Sequence, residues 1–222
     1  MTRRAGRWMR GFLVPVLAIA AGAAHADPVT SDYVVKGSMA AAWGIGHRPG
    51  TEAILFAFNE LAPKESEAPK EGETSKTGPR LTFSITQWSY DAGGWVRRQW
   101  FGDAPLDPET FKIGAEMADA TLGATVTGIL EERSETGATV YRDVPGTVQI
   151  QWGSGYGGVG NTVLAYIYQT PSYTAKLQSQ GSGRSATASI TVAVDALGEP
   201  MTFWGFGSIS AVQEGSLAIT MP

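Results

Sequence analysis

The sequence predicts an all-β protein: a single antiparallel β-sandwich, with a closed β-barrel as the alternative. Three observations predict it. Apolar residues alternate with polar ones at period two along most of the chain, no helical period is sustained, and 28 glycines with frequent threonines punctuate the runs. Many short alternating runs separated by turn residues are the pattern of sheets packed face to face, or of one sheet closed on itself.

The first strand places Val35, Gly37, Met39, Ala41 and Trp43 on one face, and Ile54, Phe56 and Phe58 begin a second. Leu81, Phe83 and Ile85 alternate with Thr82, Ser84 and Thr86. Tyr90 to Trp95 reads as a hairpin turning at Asp91 to Gly94, with Trp88 and Tyr90 on one face. In the strand that follows, Trp95, Arg97 and Gln99 share a face, opposite Arg98 and Trp100. Phe111 to Ala120 is assigned to a strand rather than a short helix, because Phe111, Ile113 and Met117 fall at even spacings. The clearest hairpin spans 120 to 152: Leu122, Ala124, Val126, Gly128 and Leu130 lead into a Ser134-to-Gly137 turn, and Thr139-Val140-Tyr141 returns. Val148, Ile150 and Trp152, and later Ala186 through Val194, alternate in the same way.

Two segments stand outside this pattern. Residues 1–26 carry Arg3, Arg4, Arg7 and Arg10, then an apolar run from Gly11 to Ala24, then Ala24-His25-Ala26 as a small-residue cleavage site. That is the organisation of a secretory signal peptide, and the apolar run is short of the ~20 residues that span a bilayer. The expected mature chain, 27–222, is one exported domain, periplasmic or extracellular. Residues 63–80 hold four acids, four bases and three prolines without a large apolar residue, and are expected to form a mobile charged loop.

Composition excludes several function classes. All 21 acids lie beyond residue 26 but four of the 17 bases precede it, so the mature part has a formal charge of −8. An acidic balance disfavours nucleic acid and anionic membranes as partners. The chain has no cysteine, which removes disulfides, thiolate metal sites and cysteine nucleophiles. His47 is the one histidine after the cleavage site, and it lies in a Gly-His-Arg-Pro-Gly loop. No G-x-S-x-G elbow is present. Asp103, Asp107 and Glu109 match no calcium-loop spacing. No catalytic residue, metal site or cofactor is assigned.

One motif is over-represented. W-G-x-G occurs at Trp43, Trp152 and Trp204, where chance predicts roughly 0.1 occurrences. In the first two copies an aliphatic pair, Ile54-Leu55 or Val163-Leu164, begins eight residues after the second glycine. A shared structural role is the plain explanation: a tryptophan closes the core at a strand end, and glycines admit a close backbone approach. The functional explanation is a binding rim, in which Trp43, His47, Trp152, Tyr156 and Trp204 gather at one end of the fold.

The leading expectation is therefore a non-catalytic exported domain that binds a saccharide or another envelope protein through aromatic loops. Two alternatives stand beside it. A secreted carboxylate-dependent hydrolase would need two facing acids, for which Glu116, Asp119, Asp143 and Asp195 are the least loop-like candidates. A lipocalin-like or outer-membrane barrel would need a ligand-sized interior or an outward apolar band.

Overall fold

A computed structural model of the chain describes residues 29–64, 78–91, 94–137, 139–153, 156–169 and 173–221. The expected signal peptide, nearly all of the charged 63–80 loop and the tip of the Asp91–Gly94 turn lie outside the described residues. Ten strands follow one another: β1 (Val29–Gly46), β2 (Thr51–Pro63), β3 (Gly78–Asp91), β4 (Gly94–Pro105), β5 (Phe111–Ile113), β6 (Ala120–Ser134), β7 (Thr139–Trp152), β8 (Tyr156–Gln169), β9 (Thr174–Ala193) and β10 (Met201–Met221). The only helical pieces among the described residues are single 3-10 turns at Ala115–Met117 and Asp195–Leu197.

All ten strands belong to one antiparallel sheet, ordered β10-β1-β2-β3-β4-β6-β7-β9-β8, with β5 beside β6. Pairing of β10 with β9, the last strand but one of this path, closes eight strands into a hydrogen-bonded ring and leaves β8 beyond it. Its stagger can be followed residue by residue. Gln151 pairs with Ser189, then Trp204, Ile45, Glu52, Thr86, Gln99 and Glu131 succeed one another, and the path returns to β7 at Tyr141. The return is offset by ten residues, and an offset of this kind is what lets tilted strands close on themselves.

The interior of the ring is filled by the alternating residues expected to share faces. Leu81, Phe83, Ile85, Leu122, Leu130, Val148, Ile150, Ile190, Val192 and Phe203 are buried there with Trp100 and Trp152. The Phe83 and Trp100 rings lie 4.4 Å apart, and Trp100 donates its indole N–H to the Val144 carbonyl at 3.0 Å. These side chains occupy the interior that a lipocalin-like reading would give to its ligand.

A second core lies outside the ring. In β9 the buried residues are odd-numbered from Ala175 to Gly183 and even-numbered from Ala186 onward. The outer face of the sheet therefore turns inward along the first half of β9. There β8, β9 and the end of β10 fold over the outer face of β2 and β4, burying Phe56, Phe58, Phe101, Tyr173, Leu177 and Ile219 between them. Phe56 meets Tyr166 at 5.1 Å and Phe101 meets Tyr173 at 5.0 Å. This doubling explains why Met39 to Ala42 and Ala53 to Phe58 are buried on both faces, although a strand facing one core alternates.

The 120–152 hairpin is present, with Gly137 in the left-handed region at φ +83°. The strand expected from Phe111 to Ala120 is corrected. Only Phe111–Ile113 pairs, and the chain then turns through Glu116 (φ 54°) and Met117 (φ 55°) before β6. Even spacing over so few residues does not separate a strand from a tight turn.

Candidate functional site

The three W-G-x-G copies meet, and they do so unequally. The first and third are cross-strand partners: Trp43 pairs with Phe206, Gly44 with Gly205 and Ile45 with Trp204. Gly44 and Gly205 both point into the ring, where a Cβ on Gly205 would lie 1.8 Å from the Trp43 carbonyl oxygen. No other residue fits so close a backbone approach. Alternation then sends Trp43, Ile45, Trp204 and Phe206 outward. The last two are 60% and 64% exposed.

The second copy faces the other way. Trp152 is buried in the ring and donates its indole N–H to the Ala41 carbonyl at 2.7 Å. Its ring fills the space that a Cβ on Gly207, the last glycine of the third copy, would need. Of the five residues expected to share a rim, Trp152 is thus a core residue. Tyr156 opens β8, and its side chain lies outside the described residues. The third copy is not a strand-loop-strand connector either, since β10 runs through it without a break.

The remaining three residues do come together. The 47–50 turn carries His47 to Trp204, whose indole Nε1 donates to His47 Nε2 at 3.1 Å. The turn is held by Thr51, whose N–H and hydroxyl both donate to the Arg48 carbonyl, at 3.2 and 2.6 Å. Trp43 Nε1 donates to Glu52 Oε1 at 2.6 Å. The exposed Arg48–Glu199 pair at 2.9 Å adds little to stability.

Beside Trp204 and Phe206 lies an open groove of about 440 Å³, lined further by Gln151, Gly153, Thr187, Ala188, Ser189 and Gly205. That is the size range of small-molecule sites. Its floor carries an amide and two hydroxyls, and none of its described lining residues is charged. Ile45, Phe206, Thr187, Ser189 and Gln151 were not singled out from the sequence. A signal for two of them existed: Ile45 and Phe206 occupy the x position of W-G-x-G, two residues from a tryptophan and hence on its face.

The second aromatic group has a different character. Trp88 and Trp95 pack at 5.5 Å, and the Arg97 guanidinium lies 6.0 Å over the Trp88 ring. Arg97 is committed inward, with Nη2 bonded to Glu131 Oε1 at 2.5 Å and both residues buried. It is thus withheld from a surface ligand. The same buried belt holds Gln99, donating to Ser84 Oγ at 2.9 Å and to the Tyr168 hydroxyl at 3.4 Å, with Thr86 Oγ1 3.2 Å from that hydroxyl. Further along, Arg80 holds Asp103 through Nε at 3.0 and 3.2 Å and through Nη2. Burial opposes the charge of Arg80, but the hydrogen bonds and charge of Asp103 outweigh it and raise its pKa.

The hydrolase reading needs two facing acids, and its four candidates lie on the surface of the described fold. Glu116 and Asp119 flank a turn, Asp143 is in β7 and Asp195 in a 3-10 turn; all four are exposed. The buried side chains of Asp103 and Glu131, among the described residues, are each held by an arginine. Among the described residues no cluster of three or more His, Asp or Glu is placed to hold a metal ion. No helix among the described residues is long and apolar enough to cross a membrane. The outward positions of β6 and β7 include Thr121, Thr125, Thr127, Thr147, Gln149 and Gln151, a polar face rather than the apolar band of a lipid-facing strand.

No family model, curated protein or solved structure matches the chain.

Proposed function

We propose that the chain is an exported, non-catalytic binding protein that takes a neutral saccharide on the surface formed by Trp43, Ile45, Trp204 and Phe206. One observation carries the reading: two largely exposed aromatic rings, Trp204 and Phe206, stand at an uncharged groove whose floor offers Thr187, Ser189 and Gln151. Flat apolar ring faces match the C–H face of a pyranose, and hydroxyl and amide groups match its hydroxyls. Large exposed aromatics grouped on one face mark interaction surfaces rather than ordinary surface scatter. Export rests on the basic, apolar and A-x-A succession of residues 1–26.

Affinity electrophoresis through gels containing neutral polysaccharides tests this reading. A polysaccharide that retards the protein, with Trp204→Ala or Phe206→Ala restoring at least most of its mobility, supports it. Migration unaffected by every polysaccharide, or retardation indifferent to both substitutions, counts against it.

A further inference from the structure

Two strands stay outside the ring: β5, beside β6, and β8, which among the described residues pairs with β9 alone and ends the sheet path with an open edge. After an irregularity between Tyr156 and Gly160, its register runs without interruption from Gly160 to Gln169. Its inner side chains anchor it: Tyr166 packs on Phe56, and the Tyr168 hydroxyl lies 3.2 Å from Thr86 Oγ1. The strand is therefore held in place with a row of backbone donors and acceptors facing away from β9.

Natural edge strands are usually blunted by lysine, proline, shortness or a covering element. β8 has neither a lysine nor a proline, and no charged residue occurs between Gly153 and Ala175. On its outward face Val163 and Ile167 are 80% and 67% exposed. On its inner face Leu164 and Tyr166 are only partly buried, so the second core is open along this edge.

We propose that β8 pairs antiparallel with β8 of a second copy of this chain, making a twofold dimer through a continuous sheet. Two features select a copy rather than another occupant. The first is charge: beyond residue 26 the chain carries 21 acids against 13 bases, so copies repel except where a surface is neutral, and this segment is. The second is self-matching. With the twofold axis at Ala165, Val163 lies opposite Ile167 of the copy, Leu164 opposite Tyr166, and Asn161 opposite Gln169. In these three pairs apolar meets apolar and amide meets amide, Thr162 lies opposite Tyr168, and Leu164 and Tyr166 complete the open flank of the second core.

Sedimentation equilibrium of the purified protein between micromolar and several hundred micromolar tests the proposal. A monomer–dimer equilibrium is expected, and Val163→Lys with Ile167→Lys should weaken it at least tenfold at unchanged far-ultraviolet circular dichroism. Should the lysine variant fail to fold, Val163→Thr with Ile167→Thr keeps the β-branched shape and is expected to weaken the dimer in the same direction. The cysteine-free chain also permits a positional test: Ala165→Cys should crosslink to a covalent dimer under mild oxidation, whereas Thr125→Cys on the ring exterior should not. A protein monomeric throughout, a dimer indifferent to the β8 substitutions, or equal crosslinking at both cysteines would each overturn the proposal.

Discussion

Gly44 and Gly205 stand opposite each other across the β1–β10 ladder, and their closeness places Trp43 and Trp204 on the outside of the ring. A side chain at Gly205 would force the strands apart, because the nearest atoms are the backbone of Trp43 and Gly44 rather than flexible side chain. Gly205→Ala should therefore destabilise the protein by about 1–3 kcal/mol. Gly123→Ala, at an outward β6 position with open space around the new methyl group, should be neutral or stabilising by about 0.4–1 kcal/mol. Urea denaturation of the two variants checks the contrast.

The Arg97–Glu131 pair bridges β4 and β6 with both side chains nearly inaccessible. Removing one partner leaves a charge buried without its counterion. Glu131→Leu or Arg97→Met alone should cost about 3–5 kcal/mol. The double variant should recover much of that loss, since replacing both charges also removes both desolvation costs. A double-mutant cycle by thermal or chemical denaturation reads the recovery directly.

Alkaline pH should unfold the protein for a specific reason. Tyr173 is held well above the ordinary tyrosine value, by burial first and by Asp103 second; Tyr166 is raised by burial and then by Glu52. Tyr33 is raised as well, by burial and then by Asp103. A folded-state pKa above the unfolded value gives a contribution that is complete below about pH 10 and lost as pH rises through the folded values. Stability should fall from about pH 10 upward, with the phenolate absorbance of these tyrosines appearing together with unfolding. Full phenolate absorbance in a protein that stays folded would refute this.

Tryptophan fluorescence should separate two populations. Trp100 and Trp152 are buried, whereas Trp43, Trp88 and Trp204 are 39%, 48% and 60% exposed. Acrylamide quenching should be biphasic, and Trp204→Phe should remove the largest accessible component. Trp152→Phe should leave that component unchanged and lower stability by about 1–3 kcal/mol, through the lost bond to Ala41 and an underfilled core.

Much of this architecture was legible in the sequence. Period-two alternation located the inner faces of β3, β6, β7 and β9, because a strand with one buried face writes that face into every second residue. The second core was not legible. Met39 to Ala42 and Ala53 to Phe58 are apolar on both faces, a signal equally consistent with a central strand of a sandwich. The switch of burial parity within β9 falls at Arg184 and Ser185, and the buried positions just before it, Gly181 and Gly183, carry no side chain to mark the inner face. The site was half legible: the repeat of W-G-x-G pointed to a shared cause, but pairing two copies across a ladder while a third fills the core depends on strand order. No local pattern distinguishes Trp152, facing in, from Trp204, facing out. The groove floor was hidden for a similar reason, since Thr187, Ser189 and Gln151 look like ordinary outward positions until β7, β9 and β10 are adjacent.

The most direct test of the central claim is a fluorescence titration of the protein with neutral oligosaccharides, repeated in the presence of acrylamide. One sugar class should shift the emission and protect the accessible tryptophan component from quenching, and both effects should be lost in Trp204→Phe. Oligosaccharides that leave the emission and the quenching of the exposed tryptophans unchanged at millimolar concentration would contradict it.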